Sequence, residues 1–370
     1  MSASAATPGR GLPFAIRAER RLESPRWLPL LTTVGAIAVA LVISGLLIGL
    51  IGGDPIASYV HIVGAAFGSV GVLSDTLVKA TPLIFTGLAC ALAFRMRLWN
   101  IGAEGQFYFG AWGASAVVLF PLVPDGSPGW LTIPAMVIAG IAAGAAWGFV
   151  VGWLRARFNV NEIIATLMLN YIAIKWVQFW VFGPWSEGGF QLSRQFPKEA
   201  WLPRLTDLSS VSPFFGGLTV HLGLAFALVA AGLTWFVLKR TRKGYEIRLI
   251  GDNPNAARYA GVNISRNIIL VMLASGGLAG LAGMSEVSGV VHRMQDAISP
   301  GYGFTGVIIA YLAKFNPLYV VPAAIAFGAL ILAGREIQPA GIPSMIQGVI
   351  LFCVIASDVL LRYRVRLVRR

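Results

Sequence analysis

Polar side chains inside apolar stretches are the first place to look for chemistry in this chain. The residues singled out are Asn100, Glu104, Gln106, Asn161, Glu162 and Asn170. Ionisable groups at membrane depth are costly and usually functional, so these residues are candidates for the wall of a path taken by a polar solute. The alternative is structural, because Glu104 and Asn161 stand where helices are expected to begin and can cap or anchor them.

Patterns typical of catalysis and of metal binding are missing. The sequence contains no G-x-x-x-x-G-K-[ST] phosphate-binding loop and no G-x-S-x-G nucleophile elbow. The three histidines, His61, His221 and His292, are scattered and have no metal-ligand spacing with other residues. Cys90 and Cys353 both lie in apolar runs, where we expect packing roles. We therefore predict no catalytic residue, no metal site and no cofactor bound by this chain.

One basic segment, residues 239–261 with the sequence KRTRKGYEIRLIGDNPNAARYAG, separates two long apolar runs. Its second half carries helix signals, since Asn253 can cap, Pro254 suits the first helical position and Gly261 suits the end. A helix this short is marginal in water and must pack against something. Because little else in the chain is polar, the segment predicts a partner protein on the cytoplasmic side of a membrane.

Composition places these residues in an all-α polytopic membrane protein. Of its 370 residues, 56% are hydrophobic and 12% are charged, and soluble domains carry about twice that charged fraction. An apolar run of 18 or more residues is long enough to span a bilayer. Reading such runs against charge predicts about ten helices. They are Leu28–Ile51, Thr76–Phe94, Ala103–Phe120, Leu131–Leu154, Asn161–Phe182, Leu218–Leu238, Ile268–Val290, Gly301–Phe315, Pro317–Gly334 and Pro343–Leu361.

The distribution of basic residues predicts the orientation. The net charge is +13, and 22 of the 29 Lys and Arg residues fall on one side if the N-terminus is inside. This positive-inside pattern puts both termini in the cytoplasm and argues against nucleic acid as a partner. The predicted regions are a cytoplasmic segment 1–27, a membrane domain 28–361 with an inner loop 239–265 and an outer loop 183–217, and a basic cytoplasmic tail 362–370.

Helix lengths and small residues suggest how the spans are arranged. The eighth segment is too short to cross at a normal tilt, so it and the ninth are expected to be short or broken helices. Segments two to five and seven to ten would run in opposite directions, which predicts an inverted repeat. Gly140, Gly144, Gly148 and Gly152 recur every four residues and are expected to pack helices within the subunit; contact with a second subunit is the alternative.

Four motifs, in this order, resemble one known family. They are NIGAEGQFYFGAW, NEIIATLMLNYIA, GYEIRLIGDNPNAARYAGVNISR and SPGYGFTGVIIAYLAKFNP. The chain resembles the permease subunits of bacterial ABC importers of the ribose/branched-chain amino-acid type, and above all the nucleoside-importer branch, whose binding lipoproteins form the basic membrane protein group. The resemblance implies a type II importer fold in the bacterial cytoplasmic (inner) membrane. It also implies a cytoplasmic ABC ATPase that binds ATP and Mg, an external substrate-binding lipoprotein and a second permease subunit, in a heterodimer or alternatively a homodimer.

The resemblance also assigns roles to residues. The inner loop of such permeases inserts a short helix, here Gly251–Gly261, into a groove of the ATPase. The residues expected to couple to the ATPase are Gly244, Glu246, Gly251, Asp252, Asn253, Pro254, Ala256, Ala257, Arg258 and Gly261. The chain departs from the family pattern at Lys314 and Phe315, which replace small residues.

The function predicted from the sequence is ATP-driven import of nucleosides by alternating access, with the chain as transport subunit rather than enzyme. One alternative is the same class of importer for a simple sugar such as ribose. A second is an ion-coupled secondary transporter, which would not need the segment 239–261.

Overall fold

The computed structural model describes residues 14–20, 25, 27–124, 126–334 and 341–369. This part of the chain is mostly helical. Its α-helices are α1 Leu28–Leu50, α2 Pro55–Phe67, α3 Val70–Arg95, α4 Ala103–Leu119, α5 Gly129–Phe158, α6 Glu162–Phe182, α7 Gly223–Arg240, α8 Arg242–Asp252, α9 Pro254–Tyr259, α10 Ile264–Glu286, α11 Tyr302–Leu312, α12 Pro317–Ala333 and α13 Ile342–Arg362. A single π-helical turn, Val287–Val291, extends α10.

Six of these helices are long and apolar enough to cross a membrane: α1, α3, α5, α6, α7 and α10. Four shorter apolar helices, α2, α11, α12 and α13, accompany them. The prediction of a helical multi-pass protein is therefore confirmed, whereas the count of ten spans is not decided by helix length. Helix α2 was missing from the prediction, although Asp54 caps it by accepting from the Ile56 and Ala57 amides and Pro55 starts it.

Helices α3 and α10 form the centre of the bundle. The most apolar stretch of α3 is 94% buried, more than that of any other long apolar helix of the described chain. Helix α3 packs against α10, α11 and α12, and α10 packs against α3, α4 and α5. Most other helices surround this pair, and α6, α7 and α1 keep large apolar side chains on the outside, as expected of surfaces that meet lipid or another membrane subunit.

Glycines bring α5 and α10 into backbone contact. A Cβ added to Gly144 would overlap the carbonyl of Gly276, and one added to Gly280 would overlap the carbonyl of Gly140. A Cβ added to Gly148 would likewise overlap the Met272 carbonyl. Small residues spaced four apart permit this approach. The predicted packing role of these glycines within the subunit is thus confirmed.

The two short helices α4 and α11 begin beside each other in the interior. The Gly303 amide donates to Glu104 Oε2 over 2.6 Å, and a Cβ on Gly303 would overlap the Glu104 backbone. Helix α4 has 17 residues and α11 has 11. At 1.5 Å per residue these helices span about 25 and about 16 Å, less than the hydrocarbon core. The predicted shortness of the eighth segment is confirmed.

An antiparallel ribbon joins the two ends of the described chain. Strand β1, Phe14–Arg20, pairs with β2, Tyr363–Arg369, and Phe14 lies opposite Arg369. The prediction contained no strand and gave residues 362–370 only as a basic tail. In β2, residues 363–367 carry arginine at every second position, a pattern typical of strands. Of the predicted N-terminal segment, residues 1–13, 21–24 and 26 lie outside the described residues.

Candidate functional site

The cytoplasmic segment predicted from the sequence folds as two consecutive helices, α8 and α9. Thr241 caps α8, since its hydroxyl accepts from the Gly244 amide over 3.1 Å. Ile247 and Ile250 are buried against the ends of the membrane helices. The prediction contained only the second helix. Helix α8 is therefore an amphipathic base that fixes α9 to the bundle.

Glu246 holds α8 to its surroundings. Its carboxylate accepts from Lys243 Nζ at 2.7 Å and from Asn267 Nδ2 at 3.1 Å, and Arg242 Nε lies 3.4 Å away. The hydrogen bond from Lys243 is the main reason why the pKa of Glu246 lies below its ordinary value. Because Asn267 belongs to α10, this carboxylate ties α8 to a central helix.

Two glycines allow α8 to approach the bundle closely. A Cβ on Gly244 would overlap the Val237 carbonyl at the end of α7, and one on Gly251 would overlap the Arg95 carbonyl at the end of α3. Both positions therefore require glycine for packing. A displacement of α8 would also displace the ends of α3 and α7, because tightly packed interiors transmit strain.

Helix α9 has the caps that the sequence predicts. Asn253 Oδ1 accepts from the amides of Asn255 and Ala256 at 3.0 and 3.1 Å, Pro254 takes the first position, and Gly261 has φ +73° just beyond the end. The predicted miniature helix is confirmed.

The ten residues expected to couple divide into two groups. Gly244, Glu246, Gly251 and Ala257 are buried in the chain's own packing and Ala256 is half-buried, whereas Asp252, Asn253, Pro254, Arg258 and Gly261 are exposed. Sequence reasoning missed Tyr259, which is 95% exposed at the end of α9. Its signal was a tyrosine within a short, otherwise polar helix, since tyrosine is enriched in protein interfaces.

The predicted path residues near α4 form a buried polar network. Asn100 Nδ2 donates to Gln106 Oε1 at 2.9 Å and to Ser275 Oγ at 2.8 Å, and Asn100 Oδ1 accepts from the Gly102 amide. Asn100 and Gln106 are almost fully enclosed. The structure thus brings these two together and joins the α3–α4 connection to α10.

Glu104 and Asn170 are buried and continue this polar region. Asn170, on α6, accepts from the Gly105 amide at 2.8 Å and donates to the Ile101 carbonyl at 2.9 Å. Glu104 accepts from Gly303 on α11, as described above. Their hydrogen bonds hold the starts of α4 and α11 and the middle of α6 in place.

Asn161 and Glu162 lie apart from this network, at the start of α6. Asn161 caps the helix, accepting from Ile163 and Ile164. Glu162 pairs with Arg155 at the end of α5, with 3.3 Å between Arg155 Nε and Glu162 Oε2. The expected capping role of Asn161 is present, and the structural alternative accounts for the contacts of all six predicted path residues.

Comparison with known proteins identifies the family of this helical chain. Residues 72–355 match the profile of the family described as branched-chain amino acid transport system / permease component. The chain belongs to this family of ABC transporter permeases. Such subunits are transport components rather than enzymes, and the resemblance stated from the motifs is confirmed.

Relatives of the permease cover almost its whole length. The glucose ABC transporter permease protein TsgB13 of Haloferax volcanii is 34% identical over 95% of this chain and 93% of its own. The guanosine ABC transporter permease protein NupP of Bacillus subtilis is 35% identical over 86% and 91%. The nucleoside ABC transporter permease protein NupB of Lactococcus lactis is 32% identical over 85% and 87%.

A buried ion pair in the permease was not foreseen as a pair. Lys79 Nζ on α3 lies 3.3 Å from Glu286 Oε1 on α10, and Tyr302 on α11 accepts from Lys79 at 3.2 Å. A carboxylate in an apolar span, as Glu286 is, needs a partner or an aqueous cavity, and the structure supplies Lys79 as the partner. Burial of both charges makes their pairing a requirement of the bundle.

The loop 183–217 of the permease, predicted to lie outside, folds onto the helix ends. Trp201 stacks on His292 with ring centres 3.8 Å apart, and Arg204 Nη2 lies 2.6 Å from His292 Nε2. Burial lowers the pKa of His292 to about 4 and that of His221 to about 3. The positive charge of Arg204 is the second cause in both cases. Both rings are therefore neutral at pH 7. The described part of the permease contains no cluster of His, Cys, Asp or Glu that could hold a metal ion.

Proposed function

We propose that this permease is the membrane subunit of an ATP-driven importer of nucleosides. Two of the relatives carry guanosine or nucleoside in their names at 32–35% identity over most of both chains. The observation that carries the ATP-driven part is α9, a capped helix whose outward face is left uncovered while its base is locked into the bundle. Such a face fits the groove of a separate cytoplasmic ABC ATPase, which binds ATP and Mg.

In this proposal α8 and α9 convert ATPase closure into movement of the spans. The exposed residues Asp252, Arg258 and Tyr259 contact the ATPase. Glu246, Gly244 and Gly251 do not contact it but keep α8 pressed against the ends of α3, α7 and α10. The predicted coupling residues therefore have two roles, contact and transmission.

The proposed solute path runs along an interface between subunits. We place it between two permease subunits, because α6 and other outer helices leave large apolar and aromatic side chains uncovered. Asn100, Glu104, Gln106 and Asn170 then support the path wall from behind. Asn161 and Glu162 hold its cytoplasmic end at the start of α6.

Helix pairing supports the inverted repeat. If α3–α6 is matched with α10–α13, the pairing of α10 with α5 and α4 corresponds to that of α3 with α12 and α11. The meeting of α4 and α11 at their first residues fits an axis that relates the halves. This arrangement gives ten spans, with α2 as an additional short helix. The membrane is the bacterial cytoplasmic membrane, and both termini lie in the cytoplasm.

The assembly contains two further components. A second permease subunit, different from this chain in a heterodimer, completes the pathway. An external binding lipoprotein delivers the solute to the outer face, where the loop 183–217 is folded and presents exposed apolar residues such as Phe190, Val211 and Phe214.

Glucose is the second candidate solute, because the relative TsgB13 carries that name at 34% identity over 95% of the chain. Uptake of labelled guanosine and of labelled glucose by cells that express the complete importer distinguishes the two. We expect guanosine uptake that unlabelled adenosine reduces and that glucose leaves unchanged. Uptake of glucose alone would overturn the nucleoside proposal while leaving the permease assignment intact.

Replacement of Tyr259 tests the coupling role. We expect Tyr259→Ala to reduce ATP-dependent uptake at least about tenfold, as for a central interface residue, with unchanged amounts of protein in the membrane. Tyr245→Ala, an exposed tyrosine on α8, is the matched control and should keep most of the activity. Full uptake by Tyr259→Ala would contradict the proposed contact.

A further inference from the structure

A basic cavity lies where α8 meets the ends of the membrane helices. Its volume is about 530 Å³. Four cationic side chains from four different places in the chain line it: Arg95 at the end of α3, Lys239 at the end of α7, Arg248 on α8 and Lys314 in the turn between α11 and α12. Among the described residues, none that lines this cavity is acidic.

Arg248 distinguishes the cavity from an ordinary basic surface. Its Nη1 atom is buried and has no hydrogen-bond partner within the described chain. The neighbouring cations of α8 differ, because Arg242 and Lys243 both pair with Glu246. Leaving a guanidinium donor buried and unpaired is costly, so an anion that accepts from Arg248 would be bound favourably.

The cavity also has apolar and aromatic lining residues. Leu238, Phe315, Pro317 and Tyr319 line it together with the polar Asn316, and Tyr319 is 61% exposed on the first turn of α12. Aromatic and basic residues at helix ends are typical of the level where spans leave the hydrocarbon. The site therefore combines cations for an acidic group with an apolar edge that continues onto the membrane face.

We propose that this cavity binds the phosphate of an anionic phospholipid headgroup from the leaflet on the side of α8. The phosphate accepts from Arg248 and lies among Arg95 and Lys239, while the glycerol and first acyl carbons follow Tyr319 and Pro317. Basic pockets between membrane helices are suited to such headgroups. A free phosphate group shares the anionic chemistry but has no use for the apolar edge.

A lipid in this position would join α8 to the ends of α3 and α7 and to the turn before α12. These are the elements through which α8 is fixed to the bundle. Occupancy therefore strengthens the attachment of the coupling segment, and transport depends on anionic lipid. The inference needs only that this end of the bundle meets a membrane surface, and it does not depend on which solute is carried.

Native mass spectrometry of the delipidated full-length permease tests the site, with dioleoylphosphatidylglycerol and dioleoylphosphatidylcholine as probes. We expect one phosphatidylglycerol to bind preferentially. Arg248→Gln should weaken its binding about tenfold, equivalent to 1.4 kcal/mol, and Arg248→Lys should retain most of it. The matched control is Arg240→Gln, which removes an exposed charge beside Lys239 that does not line the cavity and should change binding less than twofold.

Competition and control experiments identify whether the bound anion is a lipid headgroup or free phosphate. Inorganic phosphate at millimolar concentration should compete only weakly with phosphatidylglycerol; competition at micromolar concentration would keep the anion site but overturn the lipid assignment. Equal loss in Arg248→Gln and Arg240→Gln would overturn the site. The site would also be overturned if Arg248→Gln kept its lipid binding but no longer copurified with the ATPase. The cavity would then accept an acidic side chain of the ATPase subunit. Size-exclusion elution of each variant monitors folding.

Discussion

At the scale of single residues, the polar groups of this permease are mostly used to hold helices together. Asn170 satisfies the backbone of the α3–α4 connection and of α4, and Lys79 is neutralised by Glu286. A polar residue in an apolar run signals that a partner exists. It does not identify the partner, because the residues that meet are 65 to 207 positions apart in the sequence.

Removal of one member of the buried ion pair should be strongly destabilising. We expect Glu286→Gln to lower the free energy of unfolding by about 3–5 kcal/mol, because it leaves the Lys79 ammonium buried without its counter-charge. The double variant Lys79→Met/Glu286→Gln should lose less than the sum of the single variants. Arg242→Met, which breaks a pair whose arginine is 92% exposed, should cost less than about 1 kcal/mol. Denaturant unfolding of the purified variants measures all of these values, and additivity would argue against a pair.

His292 and His221 predict a pH dependence of stability. A histidine whose pKa falls from 6.5 to about 4 in the folded state contributes fully to stability above pH 6.5, and stability is lost as the pH falls toward 4, since the unfolded chain binds the proton first. We expect the unfolding temperature to fall across this window, and to fall less in His292→Gln. His61→Gln, which changes an exposed ring, is the control. An identical pH profile in His292→Gln would show that the Arg204–His292 contact has no part in it.

At the scale of elements, the sequence predicts helices that carry their own signals. Asn253, Pro254 and Gly261 mark α9 within nine residues, and the structure contains it. Helix α2 has equally clear signals at Asp54 and Pro55, but its 13 residues were too few to count as a span. Helix α8 carries a weaker signature, the Thr241 cap alone, and one of the elements against which it packs, the end of α3, is distant in sequence.

Close packing of α8 should make its glycines irreplaceable. Gly251→Ala adds a methyl group where the Arg95 carbonyl lies, so we expect lower uptake with α9 itself unchanged. The control is Gly232→Ala on α7, where an added Cβ would have no neighbouring atom of the described residues within 4 Å. Alanine there should stabilise the helix by up to about 1 kcal/mol. Uptake assays with normalised membrane protein amounts compare the two, and equal activity would mean that α8 tolerates displacement.

At the scale of the whole molecule, long-range pairing is what the sequence could not provide. Periodic glycines predicted that α5 would pack tightly within the subunit, but only the structure shows that its partner is α10. The ribbon between β1 and β2 joins residues more than 340 positions apart, and no local signal identifies such a pairing. The basic residues, in contrast, predict orientation directly, because they depend on the membrane rather than on a contact.

That orientation has a direct test, because Cys90 and Cys353 are both buried and should give little background labelling. Tyr259→Cys places a thiol on exposed α9, and Ser209→Cys places one on the outer loop. With both termini cytoplasmic, a membrane-impermeant maleimide should label Ser209→Cys in intact spheroplasts and Tyr259→Cys only after permeabilisation. The reverse order would place α9 on the outside, where no ATPase could reach it, and the ATP-driven mechanism would fail together with the orientation.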